Sequence, residues 1–176
     1  VGEALVRHPA IAVIVDATLV RTLLVLLLGL AAYIALTHLH QSLDVDFEMR
    51  VDHSGPIEIY YDVPGSHFDP RLRETRRAAQ DSWQRYSIAI QGYRAIEEVR
   101  IDPMTQPGRF EISEVRLSSR WTERQFKGEA LLTELQANTE LKVVNTTPQA
   151  ITFESTGADP FLSIKVPQAF FRPDLG

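Results

Sequence analysis

Val45-Asp46-Phe47-Glu48-Met49-Arg50-Val51 alternates strictly between apolar and charged residues. Side chains two apart share a face of a β-strand, so Val45, Phe47, Met49 and Val51 form a buried side, while Asp46, Glu48 and Arg50 face water. The pattern recurs downstream. In Pro56–Val63 it places Ile57, Ile59 and Tyr61 together, and in Trp83–Ile90 it does the same for Tyr86, Ile88 and Ile90. Further strands are expected over Ile96–Asp102, Phe110–Leu117, Glu140–Val144, Ala150–Glu154 and Phe161–Val166. Eight strands separated by turn signals predict a mainly β domain, an antiparallel β-sandwich.

Two segments break the alternation. Residues 67–82, HFDPRLRETRRAAQDS, are highly charged and are expected to form a long loop with a helical turn. Residues 128–139, GEALLTELQANT, have helical propensity and predict a short helix around Ala130–Gln136.

Upstream of the alternation the character changes completely. From Thr22 to Leu39 the chain runs 18 residues without a charged side chain. At 1.5 Å per residue this makes about 27 Å of helix, close to the thickness of a bilayer core. The length favours a transmembrane anchor over a cleaved signal peptide, whose apolar region is shorter. Arg7 and Arg21 precede the span, and Asp44, Asp46 and Glu48 are the first charges after it. The positive-inside rule therefore predicts a cytoplasmic segment at 1–21, a transmembrane helix at 22–39 and an extracytoplasmic domain at 42–176. The stretch Ala10–Val15 is too short for a second span and is expected to lengthen the helix or lie in the interface. A start at Val1 suggests a segment of a longer polypeptide.

Composition narrows the chemistry. Residues 1–41 hold Arg7 and Arg21 against Glu3 and Asp16, so the net charge of −5 falls on the remainder. A mildly acidic domain lacks the positive field that gathers nucleic acid, and no nucleic-acid partner is expected. With no cysteine, the chain has no disulfide, thiolate metal site or cysteine nucleophile. His38 and His40 read as interfacial polar residues at a helix exit rather than as metal ligands. His53 and His67 stand alone, and no catalytic signature or cofactor motif is present, so neither a cofactor nor catalysis by this segment is expected. Glu97 and Glu98 would serve glycoside hydrolysis only if the fold set two acids across a cleft.

The segment Ile96–Leu117, IEEVRIDPMTQPGRFEISEVRL, reads as a hairpin. Its first strand ends at Arg100-Ile101-Asp102-Pro103. Proline fixes φ, the aspartate is placed to accept backbone N–H bonds, and Gly108 supplies backbone freedom before the return strand. The matching residues Arg100, Ile101, Asp102, Pro103, Gly108, Phe110, Ile112, Glu114, Val115 and Leu117 resemble a hairpin of an accessory β-domain. That domain occurs in bacterial multipass membrane proteins and glycosyltransferases of cell-surface polysaccharide assembly. The order of IYYDVPGSHFD, the Trp83–Ile90 strand and STGADPFLSIKVP agrees, so the resemblance runs from about Asp44 to Pro167.

It implies a jelly-roll-like sandwich similar to carbohydrate-binding modules, held on the periplasmic side of a bacterial inner membrane. Implied partners are the lipid bilayer, a surface glycan or lipid-linked sugar, and membrane glycosyltransferase subunits. The alternative is a non-catalytic structural domain that docks onto membrane proteins. Sugar sites combine an aromatic face with acidic or amide groups. Tyr60, Tyr61, Trp83, Tyr86, Tyr93 and Trp121, with Asp62, Asp102 and Asp159, supply these types. The glycan-binding candidates are Trp121, Tyr60, Tyr93, Asp102, Arg100 and Arg76. Tyr60 and Tyr61 fall on opposite faces of one strand. Arg100 and Asp102 share a face, where a salt bridge or turn cap is the more ordinary role. Arg71, Arg73, Arg76 and Arg77 form a basic cluster that could clamp an anionic sugar or lipid phosphate, although such residues more often form a solvated face.

Overall fold

The computed structural model describes residues 17–39, 42–92 and 95–171. The chain divides into two compact units, Val1–His38 and Leu39–Gly176.

In the first unit, helix α1 spans Ala17–Leu39. It begins five residues before the expected span and takes in Arg21, while Ala10–Val15 lies outside the described residues. Leu19, Leu23, Leu26, Leu30 and Tyr33 are all more than half exposed. Among the described residues, Thr18–Ala35 is the one stretch long and apolar enough to cross a membrane.

The second unit is an antiparallel sandwich of two sheets. The first sheet orders its strands as β4 (Gln84–Gln91), β1 (Ser42–Val51), β6 (Gly108–Ser119), β10 (Ile151–Ser155) and β9 (Leu141–Thr146), with β7 (Glu123–Lys127) also paired to β6. The second orders β3 (Arg73–Ala78), β2 (Gly55–Asp62), β5 (Glu98–Asp102), β11 (Leu162–Lys165) and β8 (Leu135–Ala137). The chain passes repeatedly from one sheet to the other, a jelly-roll-like path.

The inward set follows the alternation. Val45, Phe47, Met49 and Val51 are buried from β1, Ile57 and Ile59 from β2, Tyr86, Ile88 and Ile90 from β4, and Val99 and Ile101 from β5. Phe110 and Phe153 stack at 5.1 Å between ring centroids, and Phe47 and Tyr86 at 5.0 Å. Each such ring removes a large apolar area from water, which is the main force holding the sheets together.

In β6 the buried residues Ile112 and Val115 are three apart rather than two. Pairing runs Glu48↔Glu114 and then Met49↔Ile112, which leaves Ser113 as the extra residue of a bulge. Its hydroxyl donates to Glu48 Oε2 at 2.7 Å. The bulge restores the apolar face on both of its sides.

Four expectations are corrected. The charged segment at 67–82 contains strand β3, paired to β2 from Gly55↔Ala78 to Tyr60↔Arg73. Sheet pairing here overrides the helical leaning of Arg, Glu and Ala. The second helix, α2, is shorter than expected and ends at Glu134, because Leu135–Ala137 pairs with β11 as β8. Strand β7 was not expected, and the described residues form eleven strands where eight were read.

The fourth correction concerns the hairpin. Strand β5 pairs with β2 and β11, while β6 pairs with β1, β10 and β7, so Ile96–Leu117 is an arch between the sheets. Met104 is buried in the crossing. Gly108 is closely approached, since a Cβ there would lie 2.7 Å from Asp52 Oδ1 and would require that carboxylate to shift. The Asp102 carboxylate pairs with Arg100 instead of capping the turn.

Candidate functional site

Outward side chains of the second sheet assemble the strongest polar cluster among the described residues. Inward Ile57, Ile59, Val99 and Ile101 force Glu58, Tyr60, Arg100 and Asp102 to the other face. Register then sets Tyr60 opposite Arg73 on one side and Arg100 on the other, and Glu58 opposite Asp102. Three of the six sequence candidates, Tyr60, Arg100 and Asp102, thus meet.

Arg100 is the centre. Its Nε donates to Asp102 Oδ1 and its Nη2 to Asp102 Oδ2, both at 2.7 Å, a two-pronged pair matched to the planar guanidinium. Nη2 also donates to Asp159 Oδ1 at 2.6 Å. Phe161 and Tyr60 offer their rings at 4.0 and 5.4 Å from Cζ. Alongside, the Tyr60 hydroxyl donates to Glu58 Oε2 at 2.7 Å and accepts from Arg73 Nη1 at 3.2 Å. Arg73 completes the set with Glu58 Oε1 at 3.0 Å.

Burial of Asp102 raises its pKa above the usual carboxylate value, and the neighbouring Asp159 and Glu58 charges add to this against the pull of Arg100. Burial also raises the Tyr60 phenol, reinforced by its bond to Glu58. Exposure divides the cluster into a base and a rim. The side chains of Arg100 and Asp102 are 19% and 11% exposed, while Asp159 and Arg73 are 67% and 45% exposed. Arg100 and Asp102 therefore support, and Tyr60, Arg73 and Asp159 are open to a ligand. The Asp159 loop is itself held, since its N–H donates to Glu140 Oε2 and its carbonyl accepts from Asn138 Nδ2, both at 2.8 Å.

The other candidates lie elsewhere. Trp121 is partly exposed on the β6–β7 turn of the first sheet, with the Arg120 guanidinium 5.2 Å from its ring. Ser119 Oγ accepts the Trp121 N–H at 3.1 Å and fixes that turn. Arg76 sits on the Ile57 side of edge strand β3, paired with Glu74 at 3.2 Å, so it faces away from Arg73 and the cluster. Tyr93 lies outside the described residues. Arg71 pairs with Asp69, Arg73 with Glu58 and Arg76 with Glu74, so three of the four arginines of the basic segment are held in separate ion pairs.

Sequence reading missed Glu58, Arg73, Asp159 and Phe161 as a group. The legible signal was local, namely Glu58/Tyr60 and Arg100/Asp102 at spacings of two. Their union depended on strand order.

Chemically the cluster is a stacking and hydrogen-bonding surface with two aromatic faces, two guanidinium groups and three carboxylates. Comparison with known proteins gives no match, whether to a family model, a curated sequence or a solved structure.

Proposed function

We propose that this chain is a membrane-anchored accessory domain that binds or positions glycan for cell-surface polysaccharide machinery, with α1 as the anchor and the sandwich on the extracytoplasmic side. The observation that carries the reading is the convergence of Tyr60, Arg73 and Asp159 as an accessible rim over the Arg100–Asp102 pair. Aromatic faces suit the C–H face of a pyranose, and paired charges suit its hydroxyls. The charge asymmetry around α1 supports the orientation, and the Arg100–Leu117 pattern supports the link to glycan assembly.

The test is binding of the full chain, held in lipid nanodiscs, to bacterial polysaccharides and lipid-linked sugars. Tyr60→Ala and Asp159→Ala are expected to weaken binding about tenfold, roughly the value of one or two good hydrogen bonds or stacking contacts. Arg76→Ala is expected to leave it unchanged. Absence of binding across the panel, with the fold intact, would sink the reading.

One observation favours the docking alternative. On β9, an edge of the first sheet, Val143 and Val144 are 41% and 40% exposed. An apolar edge strand is a template for a partner strand. Crosslinking from Val143 to a membrane-protein partner, without glycan binding, would establish that reading instead.

A further inference from the structure

The first sheet carries a second polar row on its outer face, remote in sequence from the Arg100 cluster. Gln84 pairs with Met49, so Trp83, one residue earlier, falls beside Arg50. Arg50 pairs with Glu111, Glu111 with Thr152, and Thr152 with Asn145, which carries the row across the sheet. The Arg50 guanidinium lies 5.6 Å from the Trp83 ring centroid and 2.7 Å from Glu111 Oε1. Trp83 is 39% exposed, which leaves part of its ring open to solvent.

Next to this row opens a cleft of about 290 Å³, lined by Arg50, Asp52, Asp81, Arg109, Glu111 and Thr152. That volume is just below the usual range of small-ligand sites, about 300 to 1,000 Å³. Asp81 holds φ at 55°, a left-handed conformation that few side chains adopt, and its N–H donates to the Val51 carbonyl at 2.8 Å. Its carboxylate has no hydrogen bond or ion pair with any described residue. Asp52, by contrast, is occupied by the Arg109 N–H at 2.7 Å and by His53. Three carboxylates against two guanidinium groups make the cleft net acidic, so it repels an anion. The cleft itself offers the unpaired Asp81 carboxylate, the Arg50 guanidinium and the Thr152 hydroxyl, and Trp83 adjoins it through Arg50 rather than lining it.

We propose that Trp83 and this cleft form a second glycan subsite for a neutral hexopyranose, with the sugar's C–H face on the indole and its hydroxyls on Asp81, Arg50 and Thr152. The inference rests on the reading of the domain as a glycan binder and adds a site and a ligand charge that the Arg100 cluster does not supply. Two subsites on opposite sheets would let one domain hold two stretches of a polymer.

Trp83 can be made its own reporter, because the chain has two tryptophans. The full chain carrying Trp121→Phe, in phosphatidylcholine nanodiscs, would be titrated with maltohexaose, mannohexaose, chitohexaose and, as the acidic probe, hexagalacturonate. At least one neutral probe is expected to shift Trp83 emission saturably and to reduce its quenching by acrylamide about threefold or more, while the acidic probe does neither. Asp81→Asn and Trp83→Ala should weaken that binding tenfold or more by calorimetry, with unchanged far-UV circular dichroism. Trp83→Phe, which keeps an aromatic face, should weaken it less. Calorimetric binding that leaves Trp83 emission and quenching unchanged, or that survives Trp83→Ala, would overturn the subsite and leave the glycan reading standing. Preference for hexagalacturonate would overturn the neutral assignment. Silence of all four probes in calorimetry would overturn the subsite, while the glycan reading is decided separately by the panel of bacterial polysaccharides and lipid-linked sugars.

Discussion

Arg100 and Asp102 face each other across two hydrogen bonds of 2.7 Å on one strand, with Asp159 taking a third bond from the same guanidinium. A bidentate pair between residues two apart is possible because both side chains leave the same face of β5. Burial makes the pair a structural support as well as part of a site.

Removing the carboxylate tests that support. Asp102→Ala leaves a largely buried guanidinium with Asp159 as its remaining carboxylate partner, and is expected to cost about 1–3 kcal/mol. Asp102→Asn separates charge from shape. Because the folded-state pKa of Asp102 is raised above 3.8, its contribution to stability is full below that value and declines as pH rises through the folded pKa. The Asn variant lacks this decline. Its melting temperature should therefore gain on the parent's as pH is raised from about 3 to 7, and a constant difference would refute the assignment.

Asp46 predicts the opposite slope. Burial pushes its pKa up, but hydrogen bonds from Ser87 and Arg116 and the nearby Arg116 and Arg85 charges outweigh this and hold it below 3.8. Its contribution is present above 3.8 and is lost as pH falls through the folded pKa. Asp46→Asn should thus melt below the parent at pH 7, and the gap should close in acid. Thermal melts over a pH series would show this.

Gly128 is a steric prediction. Its φ is 52°, and a Cβ there would stand 2.3 Å from the Pro148 carbonyl oxygen, a backbone atom with little room to retreat. Gly128→Ala is expected to destabilise the domain by more than about 1 kcal/mol. Gly55, which has no atom within 4 Å of such a Cβ and no positive φ, is the control. Gly55→Ala should change the melting point little, and equal losses at the two positions would contradict the packing argument.

The sequence by itself determined the kinds of element. The charge-free run makes a helix suited to lipid whatever surrounds it, and strict alternation in Val45–Val51 makes a half-buried strand, because both signals are local periodicities of hydrophobicity. Even the Ile112/Val115 spacing carried the bulge. Tertiary structure decided what local periodicity does not encode. Arg73–Ala78 is a strand because β2 offers it a partner, and Leu135–Ala137 because β11 does. Arg100-Ile101-Asp102-Pro103 and Gly108–Leu117 have the form of a hairpin in sequence and lie in different sheets. The two polar sites are likewise products of strand order. Tyr60 meets Arg100, and Arg50 meets Glu111, across hydrogen-bonded neighbours 40 and 61 positions apart in the chain. Such pairings are fixed by burying both apolar faces at once, a property of the whole sandwich rather than of any one strand.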